Sequence, residues 1–203
     1  GEVLAQAERG ELVSEGKSET VQVNPQAITA IRLLVFTGAR VGEILGLRWE
    51  YINWESQTAE LPDSKTGKKT VHLPPAALEL LLSLDRPVSG FVYVVRGGRG
   101  MGNASKPLIN IKGPWAAIRK AAGIEEVRLH DLRHSFASAA IPGGLSLPMI
   151  GALLGHRDVK TTARYAHLAD DPIRTAAAQV GNRIHSAMKG ESEGANIVPM
   201  RRK

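Results

Sequence analysis

The 203-residue chain has no cysteine. Disulfides, thiolate nucleophiles and Cys-ligated zinc are therefore all excluded. Nothing points to secretion, and a cytosolic setting is the default. No apolar run approaches the roughly eighteen residues needed to span a bilayer, and the N-terminus lacks a charged-then-apolar signal pattern. Tyrosine is scarce, at three residues against six histidines. The chain opens Gly1-Glu2-Val3 without a methionine, which points to a fragment or a processed protein.

What is present fits one domain with its own core, or a domain with flexible ends. The apolar fraction is 43%, ordinary for a globular protein. Lys plus Arg exceeds Asp plus Glu by 26 to 20, and the pI is about 9.8. Such a balance suits a polyanionic partner, although many basic proteins bind no nucleic acid.

Residues 1 to 20 read as a polar N-terminal segment with a short helix over Val3 to Glu8. Asn24-Pro25 is an N-cap followed by proline at the first helical position. Ile28, Ile31, Leu34 and Val35 then recur at helical spacing and predict a core-facing stripe. Gly38 breaks the pattern, and a second helix is expected over Val41 to Trp49. The period changes at TAEL (58–61) and TVHL (70–73), which read as strands joined through turn-forming PDSKTGKK into a hairpin with a lysine-rich tip. Pro74-Pro75 opens another helix, and FVYVV (91–95) reads as a further strand. Helices are expected over Gly113 to Ala122, Leu129 to Ala140, Leu147 to Leu154, Thr161 to Ala169 and Ile173 to Met188. Pro142-Gly143-Gly144 forces a turn. The expected architecture is an α+β, mainly helical domain over residues 21–188 with a small antiparallel sheet, followed by a disordered tail over 189–203.

Several residues could carry chemistry. Arg40 at a helix junction is either a solvated arginine beside a C-cap glycine or an anion-gripping guanidinium oriented by Glu43 one turn on. Lys65 at the hairpin tip is either a charged turn residue or a proton donor to a leaving oxygen. Lys68 and Lys69 beside it would touch phosphates or water. In LHDLRHSFAS (129–138), His130 and Arg133 share a helix face, with Leu129, Leu132 and Phe136 as a core stripe beside them. That pair suits an oxyanion. His130 and His134 are also spaced i, i+4 as metal ligands are, but Asp131 and Arg133 replace the expected base, and a guanidinium between ligands repels a dication. Finally, SLPMIGALLGHRDVKTTARYAH scans as helix, glycine turn, helix. A DNA-reading helix-turn-helix would present Lys160, Thr161, Thr162 and Arg164, with Tyr165 structural.

The order Arg, Lys, His-x-x-Arg, His, Tyr resembles the catalytic domain of the tyrosine recombinases, the phage-integrase and Xer-type family. The matching stretches are TGARVGEILGLRW (37–49), SKTGKKTVHLP (64–74), LHDLRHSFAS (129–138) and LLGHRDVKTTARYAHL (153–168). They run from about residue 25 to 170. The chain departs from the family at IPGGLS, where Pro142 and two glycines replace an alanine-rich helix end and a single glycine turn. It also has no room for the family's N-terminal DNA-clamping domain, so residues 1–20 would be a linker remnant and the chain an isolated catalytic domain.

The resemblance implies a DNA strand transferase that works without metal or other cofactor. Arg40 and Arg133 would clamp the non-bridging oxygens of the scissile phosphate, with His156 as third donor. Lys65 would be the general acid, His130 would assist proton transfer and Tyr165 would be the nucleophile, leaving a 3′-phosphotyrosyl link and a free 5′ hydroxyl. Glu43 would support Arg40, and Lys68, Lys69 and Arg164 would contact DNA. The implied partners are double-stranded DNA and further protomers in a DNA-bound tetramer, with the isolated domain monomeric and no membrane involved. The implied setting is bacterial or phage-derived, cytoplasmic and nucleoid-associated. A type IB topoisomerase would use nearly the same residues.

Overall fold

The structure, a computed structural model, describes residues 1–13, 20–64, 67–84, 93–97, 106–156, 158–166 and 172–189. It divides into two compact units, Gly1–Ala166 and His167–Lys203.

Helix α2 (Pro25–Thr37) organises the first unit, and α1 (Glu2–Glu8), α3 (Val41–Leu45), α4 (Pro75–Leu82), α5 (Lys112–Ala121) and α6 (Asp131–Ala140) all pack on it. The Asn24 side chain caps α2 by accepting from the Gln26 N–H at 2.9 Å, satisfying one of the free donors of the first turn. Ala27, Ile28, Ala30, Ile31, Leu33 and Leu34 are almost wholly buried. Apolar burial around most of its girth marks it as a core helix rather than a surface one. Val35 does not belong to the buried stripe: it is 41% exposed, and Leu33 takes its place.

Helix α2 stops at Gly38, whose φ of +61° is left-handed. A Cβ there would sit 2.6 Å from the Phe136 ring, so both the backbone angle and the close approach require glycine. Helix α3 is shorter than the sequence predicts. It ends at Gly46, and a 3-10 turn follows over Trp49–Tyr51. Between them the chain is extended: Val94 N–H donates to the Leu47 carbonyl at 2.9 Å, and Arg48 forms an antiparallel bridge with Tyr93. Pairing with 93–94 wins over helix propagation. The predicted FVYVV strand is correspondingly reduced to that isolated bridge among the described residues, with Val94 and Val95 buried.

The sheet is antiparallel and three-stranded, in the order β1 (Ile52–Asn53), β2 (Thr58–Ser64), β3 (Gly67–His72). Register is set by Ile52↔Ala59 and Ala59↔Val71. It slips between Leu61 and Ser64, around Pro62, a residue that cannot donate to a ladder. On β3 the burial alternates, so Lys69 and Val71 face inward while Lys68 faces out.

Helices α6, α7 (Leu147–Leu154) and α8 (Val159–Ala163) complete the first unit. Pro142-Gly143-Gly144 forms the expected turn, with Gly144 at φ +80°. Residues 2–13 contribute to the core through Ala7 and Leu12, and α1 packs on α2 and α5. The second unit is described over Pro172–Lys189, chiefly helix α9 (Pro172–Met188), on which Val180, Ile184 and Met188 are exposed. The predicted tail beyond Lys189 lies outside the described residues. Among the described residues no helix is long and apolar enough to cross a membrane. The architecture is the mainly helical α+β domain with a small antiparallel sheet that the pattern predicts.

Candidate active site

Arg40 sits where α2 turns into α3, and Glu43 binds it twice. One Glu43 oxygen accepts from the Arg40 backbone N–H at 2.8 Å, the other from its guanidinium at 2.9 Å. Glu43 also accepts from the Lys69 ammonium at 2.7 Å, and both members of that pair are 5% exposed. Burial would raise the Glu43 pKa, but the hydrogen bonds from Lys69 and Arg40 outweigh it and hold it below the ordinary 4.5. Burial pushes the Lys69 pKa down from 10.5. Glu43 opposes that shift, while Arg133 and Arg40 add to it. The Lys69 stem lies along Gly155, where a Cβ would come within 2.6 Å of it.

Arg133, on the first turn of α6, is 4% exposed. Its guanidinium donates to the carbonyls of Gly38 at 2.7 Å and Leu154 at 2.6 Å, residues 95 and 21 positions away. It thereby ties the end of α2 to the end of α7. Burial and the charge of Arg40 bring its pKa down to about 10, which still leaves it charged at neutral pH. Its described hydrogen bonds go to neutral carbonyls, and the Glu43 carboxylate acts on its charge only through space.

Gly155, at φ +66°, ends α7 and turns the chain to His156. The Thr162 hydroxyl on α8 lies 2.8 Å from His156 Nδ1, and Thr162 is 1% exposed. Burial, then Arg133, Arg40, Arg164 and Lys69, bring the His156 pKa down to about 4. The imidazole is therefore neutral near pH 7. In the tautomer that lets the hydroxyl donate to Nδ1, Nε2 carries the proton and can donate to an anion.

Tyr165 follows α8 and is 5% exposed. Its hydroxyl is hydrogen-bonded to Nδ1 of His134, and the His130 ring stands edge-on to His134 with centroids 4.9 Å apart. Burial raises the Tyr165 pKa above 10.0, against the pull of Arg164 and Arg133. Burial, followed by His134 and Arg133, lowers that of His130.

Arg40, Glu43, His156 and Tyr165 all lie within electrostatic reach of Arg133, as does His130. Lys65 lies outside the described residues. Lys68 and Arg164 are exposed. Lys69 differs from the expectation of a phosphate-touching surface residue, because strand alternation turns its ammonium into the domain and onto Glu43. The helix-turn-helix alternative also meets an obstacle at Thr162, which that reading exposes to DNA and which is buried against His156. Among the described residues no group of three or more His, Asp or Glu is placed to hold a metal ion. Sequence reasoning named three contributors only for other roles: Lys69 for phosphate, Thr162 for DNA in the helix-turn-helix alternative and His134 for a metal pair. Lys69 shares the inward side of its strand with Val71, Thr162 lies one turn before Tyr165, and His134 lies one turn after His130.

The cluster gathers two arginines and a lysine around one carboxylate, in partly desolvated surroundings. Its excess positive charge suits an anion, and a buried hydroxyl stands at its edge.

The sequence profile of the phage integrase family matches residues 2–171. A putative integrase/recombinase, y4gC of Sinorhizobium fredii, is 30% identical over 161 residues, covering 72% of this chain and 79% of that protein. Tyrosine recombinase XerA of Pyrococcus furiosus is 29% identical over 189 residues, covering 89% of this chain and 64% of that one. The chain thus spans less than two thirds of that relative's length. Among solved structures, the pre-cleavage complex of XerH site-specific recombinase bound to difH substrate shares the fold with a TM-score of 0.61 at 20% identity. The match covers 87% of this chain and 50% of that one.

Proposed function

The chain belongs to the phage integrase family, and from that premise we propose that it is the catalytic domain of a site-specific tyrosine recombinase acting on double-stranded DNA. The observation that carries the proposal is a buried tyrosine hydroxyl within electrostatic reach of Arg133, in a site that also gathers Arg40 and a histidine paired to Thr162. A phosphodiester is an anion, and attack concentrates charge on its equatorial oxygens. Donors fixed in advance stabilise that charge most where it develops.

Arg40 and Arg133 hold the non-bridging oxygens, and His156 Nε2–H adds a third donor. Tyr165 oxygen attacks phosphorus as the P–O5′ bond breaks. Lys65 protonates the departing 5′ oxygen, and His130 assists proton transfer around the nucleophile. The products are a 3′-phosphotyrosyl link and a free 5′ hydroxyl. A second 5′ hydroxyl then attacks the link, so strands exchange without a metal or other cofactor. Glu43 keeps Arg40 in place, and exposed Lys68 and Arg164 contact the DNA backbone. The partners in the reaction are further protomers in a DNA-bound tetramer, to which the exposed apolar row of α9 contributes, while the isolated domain is monomeric. The working location is cytoplasmic, at the nucleoid of a bacterium or phage host.

The test is covalent capture. The protein is incubated with a pool of nicked duplexes of randomised sequence, and adducts are separated on a denaturing gel and sequenced. An adduct is expected that Tyr165→Phe abolishes and EDTA leaves unchanged. Failure to form any adduct across the pool, or strict dependence on added metal, overturns the reading.

A further inference from the structure

A buried phenol with a raised pKa is a poor nucleophile until something takes its proton. The group hydrogen-bonded to the Tyr165 hydroxyl is none of those given a role above. It is Nδ1 of His134, one turn along α6 from His130 and adjacent to the buried Arg133. The two rings meet at 52° with centroids 5.8 Å apart. Resting on the recombinase reading, we propose that His134 is the proton acceptor for Tyr165 during cleavage and returns the proton to it during religation.

Geometry selects His134 over the other two histidines. His156 Nδ1 is committed to Thr162, and its Nε2 carries the proton it would donate to the phosphate. His130 stands edge-on to His134, at an interplanar angle of 89°, and so buttresses the ring that touches the phenol. The charged and titratable groups around the pair are mapped on both elements. On α6 they are His130, Arg133 and Asp131, the last held down to about 2 by Arg128 through hydrogen bonds of 2.8 to 3.1 Å. Beside Tyr165 stands Arg164, which together with Arg133 favours the phenolate electrostatically. Both arginines stabilise the charge that the departing proton leaves on oxygen, while the imidazolium formed on His134 faces Asp131 one turn away.

The step balances. The Tyr165 O–P bond forms, the P–O5′ bond breaks, the phenol proton moves to His134 Nδ1, and the 5′ oxygen takes its proton from Lys65. This needs the His134 tautomer with its proton on Nε2 and the ring neutral beforehand. On religation the incoming 5′ hydroxyl gives its proton to Lys65 and attacks phosphorus, the Tyr165 O–P bond breaks, and the leaving phenolate recovers the proton from His134.

The experiment uses a duplex captured by wild type from the randomised pool, in its ordinary form and with sulfur replacing the scissile 5′ oxygen. A thiolate leaves without protonation, so sulfur restores a variant lacking the general acid but not one lacking the base. His134→Asn keeps a hydrogen-bonding atom near the Nδ1 position, whereas His134→Leu removes it. Both are expected to cleave about 10² to 10⁴ times more slowly than wild type, to bind DNA as wild type does, and to gain nothing from sulfur. Lys65→Ala serves as the restored control. Asn cleaving within a few-fold of wild type would show that the histidine only positions the phenol and would overturn the proposal, as would restoration of either His134 variant by sulfur. If wild type itself forms no adduct, the recombinase reading fails first, and the two failures are distinct.

Discussion

The two arginines of the site are held in opposite ways. On the hairpin side, Arg40 is partly exposed and shares the Glu43 carboxylate with buried Lys69. On the helical side, Arg133 is buried and bound to two carbonyls. The first arrangement positions charge by cancelling part of it. The second positions charge through neutral dipoles, with Glu43 acting on it only through space. Held by dipoles rather than by a carboxylate, Arg133 would keep more of its charge for an incoming phosphate than Arg40, which is ion-paired with Glu43. On the recombinase reading, the difference would make Arg133 the main anion anchor and Arg40 its oriented auxiliary.

Breaking the helical side should therefore do the most damage. Arg133→Ala is expected to lower adduct formation by about 10³-fold or more. It should also destabilise the domain, because the Gly38 and Leu154 carbonyls lose buried donors at about 1–3 kcal/mol each. Arg133→Lys restores the charge but cannot fork between two carbonyls, so it should rescue little. If lysine recovers cleavage, charge alone matters and the contrast with Arg40 falls. Cleavage rates and urea denaturation measure the two effects separately.

Glu43→Gln probes the other side, where the expected loss is stability first. An unpaired buried ammonium costs about 3–5 kcal/mol. The Glu43 pKa is depressed below 4.5, so its contribution is complete above that value and lost as pH falls through the folded pKa. Lys69 is depressed below 10.5. The unfolded chain thus binds the proton more readily, and stability rises with pH from the folded Lys69 pKa up to 10.5. Glu43 opposes that depression, so its removal deepens the shift, and the deficit of Glu43→Gln should shrink as the solution is made alkaline. A deficit independent of pH would mean that the pair is not charged.

Much of the helical side was legible from sequence. The His-x-x-Arg and Gly-His motifs are local and sit on strongly periodic helices, as does the Asn24-Pro25 start of α2. The hairpin side was less so, because Lys69 meets Glu43 across 26 positions and two lysines in a row look alike until a strand's alternation separates them. His134 illustrates a different limit. Its spacing from His130 suggested a metal pair, and only the return of the chain 31 residues later supplies the phenol. Val35 was misassigned because α2 is apolar around most of its girth, which leaves helical periodicity little power to say which flank meets solvent.

His156 and Thr162 sharpen the contrast through pH. The His156 pKa falls from 6.5 to about 4 on folding, so between those values the unfolded chain binds more protons. Stability is fully present above 6.5 and declines as pH falls toward 4. His156→Asn should show a shallower decline over that window in urea denaturation; an unchanged slope would place the acid sensitivity elsewhere. Thr162→Val keeps the shape but removes the hydroxyl from His156 Nδ1. It is expected to cost about 1 kcal/mol of stability and about tenfold in cleavage, equivalent to about 1.4 kcal/mol in the barrier. Thr162→Ser should retain both if the hydroxyl, rather than the methyl, orients the ring.

The smallest effect should come from the neighbour of Lys69. Lys68 points outward on the same strand, and loss of an exposed side chain usually changes stability by less than about 0.5 kcal/mol. If Lys68 meets a phosphate, Lys68→Ala removes one counterion-releasing contact. The slope of log K against log salt then becomes shallower by about 1, with binding to all sequences weakened alike. Lys69→Ala should do the reverse, leaving the salt slope near its wild-type value while lowering stability, because its charge answers Glu43 rather than the duplex. Equal salt slopes for the two variants would erase the distinction between a lysine facing DNA and one facing the core.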